Sequence, residues 1–416
     1  MTYLPNPTVT IGGTDYTGRT VGSVSVRRGR RTVYERPAAG FATIELIDVN
    51  AGSLGFDVGE RIVIRMEDTG GTPLRIFTGI VSDWSGEVVS RPGEPVVVYR
   101  VQAVGPLAVL NRRNILFDGR PQETDGERVL AAVTAGLPVV WEEFSLTQTW
   151  AGTDDETTWD TVDPGFEPDL IDAGVYEVTA LGTAQRGYTA LSVAGETGES
   201  AKGLLFETPQ GFIGYADADR RPANAAAGFL DIPYASISVD GIQASSQLAD
   251  ITNRVTVTYG TDEEAVTQTD GQSLVRFGLQ ETRLDTILAR EQDANARADD
   301  FLFSHSTPSV EFERVAVNLR GNITSTLRDA LLTVNSNDAV RVTGLPTKLG
   351  LGPQGFRGFV EGVTITVNDF QADISLFVSD IDLSFGSVLW AQVTDNITFN
   401  NVNPTLTWDD ARRVTL

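Results

Sequence analysis

From Phe41 to Leu46 apolar and polar side chains alternate, Phe41-Ala42-Thr43-Ile44-Glu45-Leu46. The same texture returns in Arg61-Ile62-Val63-Ile64-Arg65 and in Val97-Val98-Tyr99-Arg100-Val101-Gln102-Ala103. Alternating or β-branched runs of this length predict half-buried strands. Gly12-Gly13, Gly70-Gly71 and Pro92-Gly93 set turns between them. Residues 1–117, ending in Asn114-Ile115-Leu116-Phe117, read as a small antiparallel barrel or sandwich.

Residues 118–234 have a different period. Val129, Leu130, Val133 and Leu137 share one stripe and predict a short helix over Glu127–Leu137. The stretch 141–172 is acidic and Thr-rich, and predicts an exposed excursion. Ala190, Leu191, Ala194 and Ala201 predict a helix over Thr189–Lys202, with Gly203 where a C-cap glycine belongs. Leu204-Leu205-Phe206-Glu207 and Phe212-Ile213-Gly214-Tyr215 flank Thr208-Pro209-Gln210-Gly211 and predict a hairpin.

Residues 235–384 return to strands: Arg254–Tyr259, Val315–Leu319, Ala339–Val342, Phe359–Val367 and Ala372–Val378. A helix is predicted over 284–303, with Leu284, Ile287, Leu288, Ala294, Ala298, Phe301 and Leu302 inward. Residues 385–416, with Trp390 and Trp408, form a C-terminal tail. The fold class is therefore mainly β with an α+β middle region.

The first and third segments share a pattern. Gly59-Glu60 precedes the strand Arg61–Ile64, then come Phe77-Thr78-Gly79-Ile80-Val81 and the alternating strand Val97–Ala103. Asn337-Asp338 precedes Ala339–Val342, then come Val360-Glu361-Gly362-Val363 and the strand Ile374, Leu376, Val378. The expected match sets Gly79 against Gly362. One chain would then carry two related β units, and three chains would present six around an axis.

Composition narrows the chemistry. With 416 residues the chain exceeds one ordinary core. No apolar run of about 18 residues is present to span a membrane, and the amino terminus lacks the pattern of a signal peptide. The expectation is synthesis in a cytoplasm. There is no cysteine, which excludes disulfides, thiolate metal sites and cysteine nucleophiles. A net charge of -24 argues against coating nucleic acid, and suits a surface that repels it. The lysines are Lys202 and Lys348, so the positive charge is nearly all arginine, as GC-rich coding sequences favour.

Against that acidity, Arg27-Arg28-Gly29-Arg30-Arg31 stands out. It reads as a solvated hairpin tip or, as the preferred expectation, as an inter-subunit contact made by Arg27, Arg28, Arg30 and Arg31 with an acidic neighbour.

Ser25–Arg31, Phe77-Thr78-Gly79-Ile80-Val81-Ser82-Asp83-Trp84, the Ala-Leu segment before Gly203, Leu204–Arg220 and the closing Thr407-Trp408-Asp409-Asp410 together resemble minor tail proteins of siphophages that infect actinobacteria. Such proteins are similar in architecture to the trimeric baseplate hubs of contractile phages. The resemblance implies two tube-like antiparallel β-barrel domains, 1–117 and 235–384, around an inserted helix-containing segment. It implies a structural virion component at the tail tip, a homotrimeric hub. Its implied partners are the distal tail protein ring, the tape measure protein and other minor tail or fibre proteins. Phage DNA would pass through without sequence-specific binding, and the host surface would be met indirectly.

Enzymatic readings find little support in the residues. The single histidine, His305, follows Phe303-Ser304, but no G-x-S-x-G elbow accompanies it. One histidine without cysteine excludes the common zinc frameworks, and no phosphate-binding G-x-x-x-x-G-K-[ST] loop exists. Paired acids such as Asp217 with Asp219, and Asp154-Asp155-Glu156, leave open a glycosidase pair or a structural calcium site. The expectation is no catalytic residue, no cofactor and no resident metal. The alternative function is a carbohydrate- or receptor-binding tip protein, with Trp141, Trp150 and Trp159 as ligand-facing aromatics.

Overall fold

The computed structural model describes residues 7–16, 20–48, 55–91, 94–112, 114–115, 119–136, 166–182, 188–245, 250–308, 311–346, 355–368 and 371–381. Trp141, Trp150 and Trp159, the acids 154–156, Phe117 and the tail 385–416 lie outside the described residues.

The first segment supplies β1 (Thr8–Ile11), β2 (Thr14–Asp15), β3 (Thr20–Gly29), β4 (Phe41–Asp48), β5 (Arg61–Glu67), β6 (Pro73–Arg91) and β7 (Glu94–Val104). Their lateral order is β3-β4-β7-β6-β5-β1-β2, and every neighbouring pair is antiparallel. The alternation decides which face is core: Ala42, Ile44 and Leu46 of β4 are buried, as are Ile62, Ile64 and Met66 of β5. Each large aliphatic chain so buried contributes about 1.5–3 kcal/mol.

The first segment ends in α1 (Leu107–Arg112), which packs on the middle segment, and the middle segment holds β8 (Glu123–Thr124), α2 (Asp125–Gly136), β9 (Phe166–Ile171), β10 (Glu177–Val178), α3 (Ala190–Ser200), β11 (Leu204–Glu207), β12 (Ile213–Ala216) and α4 (Arg220–Ala227). The helix expected from Glu127 starts two residues earlier because Thr124 and Glu127 form a reciprocal cap. Glu127 N–H donates to Thr124 Oγ1 at 3.3 Å, and Thr124 N–H donates to Glu127 Oε2 at 3.0 Å. The α3 helix is capped by Thr189, whose hydroxyl accepts from Ser192 N–H at 3.1 Å. The left-handed residue after α3 is Lys202 at φ 62°, not Gly203. Gly203 is required for space instead, since a Cβ there would lie 2.2 Å from the Tyr215 hydroxyl.

β13 (Leu230–Pro233), just before the expected boundary at 235, pairs with a strand of the third segment, which adds β14 (Ile237–Ser245), β15 (Arg254–Tyr259), β16 (Glu264–Thr269), α5 (Gly271–Phe277), β17 (Glu281–Leu284) and α6 (Glu291–His305). It ends with β18 (Glu311–Asn318), α7 (Ser325–Thr333), β19 (Ala339–Thr343), β20 (Phe356–Asn368) and β21 (Ala372–Asp380). The helix expected over 284–303 begins only at Glu291. Leu284 is in β17, and Ile287 and Leu288 bond in extended form, Ile287 C=O accepting from Thr179 N–H at 2.8 Å. Apolar residues at 284, 287 and 288 satisfy a helical stripe, but here they serve a strand and a bridge.

Strands β15, β16 and β17 with α6 form a separate layer, whose core of Val255, Val257, Leu288, Ala294, Ala298 and Leu302 also takes Tyr176 and Ala201 from the middle segment. The remaining strands run β14-β18-β21-β20, with β19 also on β20 and β13 parallel to β19. The two expected barrels are not closed bodies. β20 pairs with β3 from Gly362↔Gly29 to Asn368↔Ser23, so both halves join in one 13-stranded sheet over a shared core.

That sheet is a duplication. The order β3-β4-β7-β6-β5 repeats as β14-β18-β21-β20-β19. Val81 exchanges backbone bonds with the 59–60 turn, Gly59 N–H to Val81 C=O and Val81 N–H to Glu60 C=O, both at 2.8 Å. Val360 does the same with Asn337 at 2.8 Å and Asp338 at 3.0 Å, and Gly59 and Asn337 both have positive φ. A bulge follows Val81 in one half and Val360 in the other. The structural match therefore aligns Phe77-Thr78-Gly79-Ile80-Val81 with Phe356-Arg357-Gly358-Phe359-Val360. Gly79 corresponds to Gly358, not to the expected Gly362 farther along the strand. The bulge is common to both halves, so it leaves their alignment unchanged; Gly79 and Gly358 precede it, whereas Gly362 follows it.

Candidate functional site: the charged junction of the two half-sheets

Where β3 meets β20, the chains approach so closely that only glycine fits. Gly29 has φ 75°, and a Cβ on it would lie 2.3 Å from the Glu361 carbonyl oxygen. The same turn aims the flanking arginines inward. Arg30 Nε donates to Glu361 Oε2 at 2.6 Å, while Arg221 NH1 reaches Glu361 Oε1 at 2.8 Å and Ser379 Oγ donates to that oxygen at 2.6 Å. Glu361 is fully buried. Burial alone would raise its carboxyl, but Arg221, Arg30 and these hydrogen bonds outweigh it and hold the group down to about 2. Desolvation in turn lowers Arg30 against the pull of Glu361.

Three parts of the chain meet here. Arg221 comes from α4 of the middle segment and also donates through Nε to Asn337 Oδ1 at 2.9 Å; Asn224 Nδ2 donates to Asn337 C=O at 3.0 Å. Arg28 donates to Asn335 Oδ1 at 3.0 Å and to Val334 C=O at 3.3 Å, at the C-terminus of α7 where a cation is favoured. Its burial lowers it to about 10. A second buried acid, Glu207 of β11, accepts from Gly40 N–H at 2.7 Å and from Leu107 N–H at 2.6 Å. Gly40 and Gly105 make room for it, since a Cβ on either would lie within 2.5 Å of Glu207 Oε2. Desolvation, only partly countered by those amides and by Arg28, pushes Glu207 up to about 7.

The arginine cluster thus divides. Arg28 and Arg30, expected at a contact between subunits, are bonded within the chain: strand alternation buries Arg28, and the Gly29 turn brings the largely covered Arg30 onto Glu361. Arg27 is partly exposed, 4.0 Å from Glu35, and Arg31 is exposed. Glu361, Arg221 and Glu207 carry no local signal in the sequence. A glycine between arginines inside a β-branched alternation is the available hint of a close approach.

His305 ends α6. Its Nδ1 lies 2.9 Å from Phe301 C=O, its Nε2 lies 3.0 Å from the Tyr34 hydroxyl, and its ring stacks on Phe301 with centroids 4.0 Å apart. The tautomer protonated on Nδ1 satisfies both contacts. Ser304 Oγ lies 2.7 Å from Nδ1, and donates to the helix carbonyls of Asp300 and Phe301. Burial, the largest cause, lowers His305. Asp217 Oδ1 accepts from Asp219 N–H at 3.0 Å in the turn leading into α4, so this acid pair shapes a turn. Among the described residues no group of three or more acids or histidines is placed to hold a metal.

Neither a protein-family model nor a curated protein matches this chain. Its fold is that of solved tail proteins. It is similar to the 43 kDa tail protein of prophage MuSo2 from Shewanella oneidensis, with 13% identity over 91% of this chain and 99% of that one at a TM-score of 0.58. It is also similar to the tail protein from Neisseria meningitidis MC58, with 12% identity over 92% and 98% of the two chains at a TM-score of 0.57. At these identities the likeness is one of fold.

Proposed function

We propose that this chain is a structural component of a phage tail, a tail-tip hub that closes as a homotrimer and continues the tail tube. The observation that carries the reading is the duplicated half-sheet: a chain holding two equivalent units meets a sixfold neighbour with three copies. The fold shared with two tail proteins along nearly their whole length supports the same role. In this reading the hub adjoins the distal tail ring and the end of the tape measure, carries other tip or fibre proteins, and lets DNA pass an acidic wall without sequence-specific contact. It sits in the virion, and the host surface is met through the proteins it carries. Arg27 and Arg31 are the members of the arginine cluster left to contact a neighbouring subunit. The role in this reading is structural rather than enzymatic, and the chain's single histidine, His305, has its two ring nitrogens against Phe301 C=O and the Tyr34 hydroxyl.

Native mass measurement of the purified chain, with cryo-electron microscopy of the particle tip, tests this reading. Three chains in a ring at the end of the tube are expected. A monomer absent from the particle, or turnover of peptidoglycan by the purified chain, would overturn it.

A further inference from the structure

The duplication leaves two sheet edges whose equivalents are paired inside the chain. In the second half, the edge of β20 from Gly362 to Asn368 is covered by β3. The equivalent stretch of β6 follows from the shared pairing with β7 and β21: Trp84↔Val101 matches Val363↔Leu376, and Val88↔Val97 matches Val367↔Ala372. Asp83–Val89 is therefore the counterpart of Gly362–Asn368. Among the described residues, no strand pairs with this edge of β6. Likewise β3 has β4 on one side and β20 on the other, whereas its counterpart β14 has, among the described residues, only β18.

The side chains record the difference. Val363, Ile365 and Val367 are 2%, 1% and 2% exposed, yet Trp84 and Val88, equivalent to the first and last of them, are 38% and 65% exposed. Val89, on the other face of the same strand, is exposed as well. A long apolar strand edge is a template for another strand.

We propose that the β6 edge of one copy pairs antiparallel with β14 of the next copy, repeating between chains the β20–β3 pairing made within each. This rests on the reading of the chain as a ring-forming protein and gives that ring its interface. The register is fixed by the duplication. Val24 pairs with Ile44 and Val367, and Ile242 pairs with Val315, the counterpart of Ile44. Val88 of one copy thus lies opposite Ile242 of the next, and Gly86 opposite Ala244, as Val367 lies opposite Val24 and Ile365 opposite Val26. The contact joins two different surfaces, so it propagates head to tail until a ring closes.

The native chain has no cysteine, so a cross-link has no background. The full chain carrying both Val88→Cys and Ile242→Cys, oxidised under native conditions, is expected to give covalent oligomers ending at the closed ring. Opposed residues of an antiparallel pair are close enough for a disulfide. Each single variant, and the pair Glu87→Cys with Ile242→Cys, whose side chains fall on opposite faces, is expected to give none. Val88→Lys should weaken association at least tenfold while the monomer stays folded. An oligomer that forms by native mass but never cross-links through positions 88 and 242 would overturn the pairing and leave the hub reading standing. A ladder without a terminal species would uphold the pairing and overturn the closed ring. A chain that stays monomeric and uncross-linked at every concentration would overturn both.

Discussion

Glu361 lies 2.6 Å from Arg30, a residue 331 positions away, in a fully buried pocket that the α4 residue Arg221 closes from the other side. One carboxylate therefore ties β3, β20 and the middle segment together. Buried ion pairs add little net stability when whole, but removing one partner strands the others.

Glu361→Ala is accordingly expected to destabilise the fold by about 3–5 kcal/mol, since two buried guanidiniums lose their counter-ion. Chemical denaturation monitored by tryptophan fluorescence checks this. Reversing Arg28 and Arg30 to Glu, which the sequence alone would treat as a surface change, is expected to prevent monomer folding. A folded double variant with normal thermal stability would remove the junction from its role.

The two buried acids give opposite pH responses. Glu361 is held at about 2, below its ordinary value of 4.5, so its contribution is complete above 4.5 and lost as pH falls toward 2. Glu207 is raised to about 7, so the fold favours its protonated form. Its contribution is complete below 4.5 and is lost as pH rises to about 7. His305, lowered by burial, moves stability the other way in the neutral range. Subtracting the profile of Glu207→Gln isolates the acid. The stability of the native chain relative to that variant should fall between pH 4.5 and about 7 and level off above. A flat difference curve would remove Glu207 as the cause.

Much of the sheet is legible in the sequence because alternation is a local signal. β15 occupies Arg254–Tyr259 as expected, and β4, β7 and β21 contain their predicted runs. What pairs with what is not legible. The partner of β3 is β20, and nothing near residue 29 announces residue 362. The same holds for the site: Arg28 and Arg30 look like surface charge until a distant carboxylate and a helix end are brought to them. The start of α6 differs from expectation because Leu284, Ile287 and Leu288 fit a helical stripe while bonding as extended chain. The repeat is visible in the sequence, yet its alignment is ambiguous there, because β20 carries two glycines, Gly358 and Gly362, that both fit a glycine inside a strand.

The corrected alignment makes a prediction of its own. Gly79 and Gly358 occupy the same place in the two halves. A Cβ on Gly79 would lie 2.4 Å from Val104 C=O, and one on Gly358 would lie 2.0 Å from Ser379 C=O, with the Phe77 and Phe356 rings pressing from the strand itself. These obstacles are backbone oxygens within one sheet, so the strands would have to separate. Gly79→Ala and Gly358→Ala should each destabilise by about 1–3 kcal/mol, as overpacked sites do. Gly271, the first residue of α5, has nothing within 4 Å of an added Cβ and no positive φ. Gly271→Ala should raise stability by about 0.4–1 kcal/mol, chiefly by restricting the unfolded chain. Thermal melts of the three variants decide the matter. Comparable losses at 79 and 358 with a gain at 271 would uphold the equivalence of the halves, and a harmless Gly358→Ala would break it.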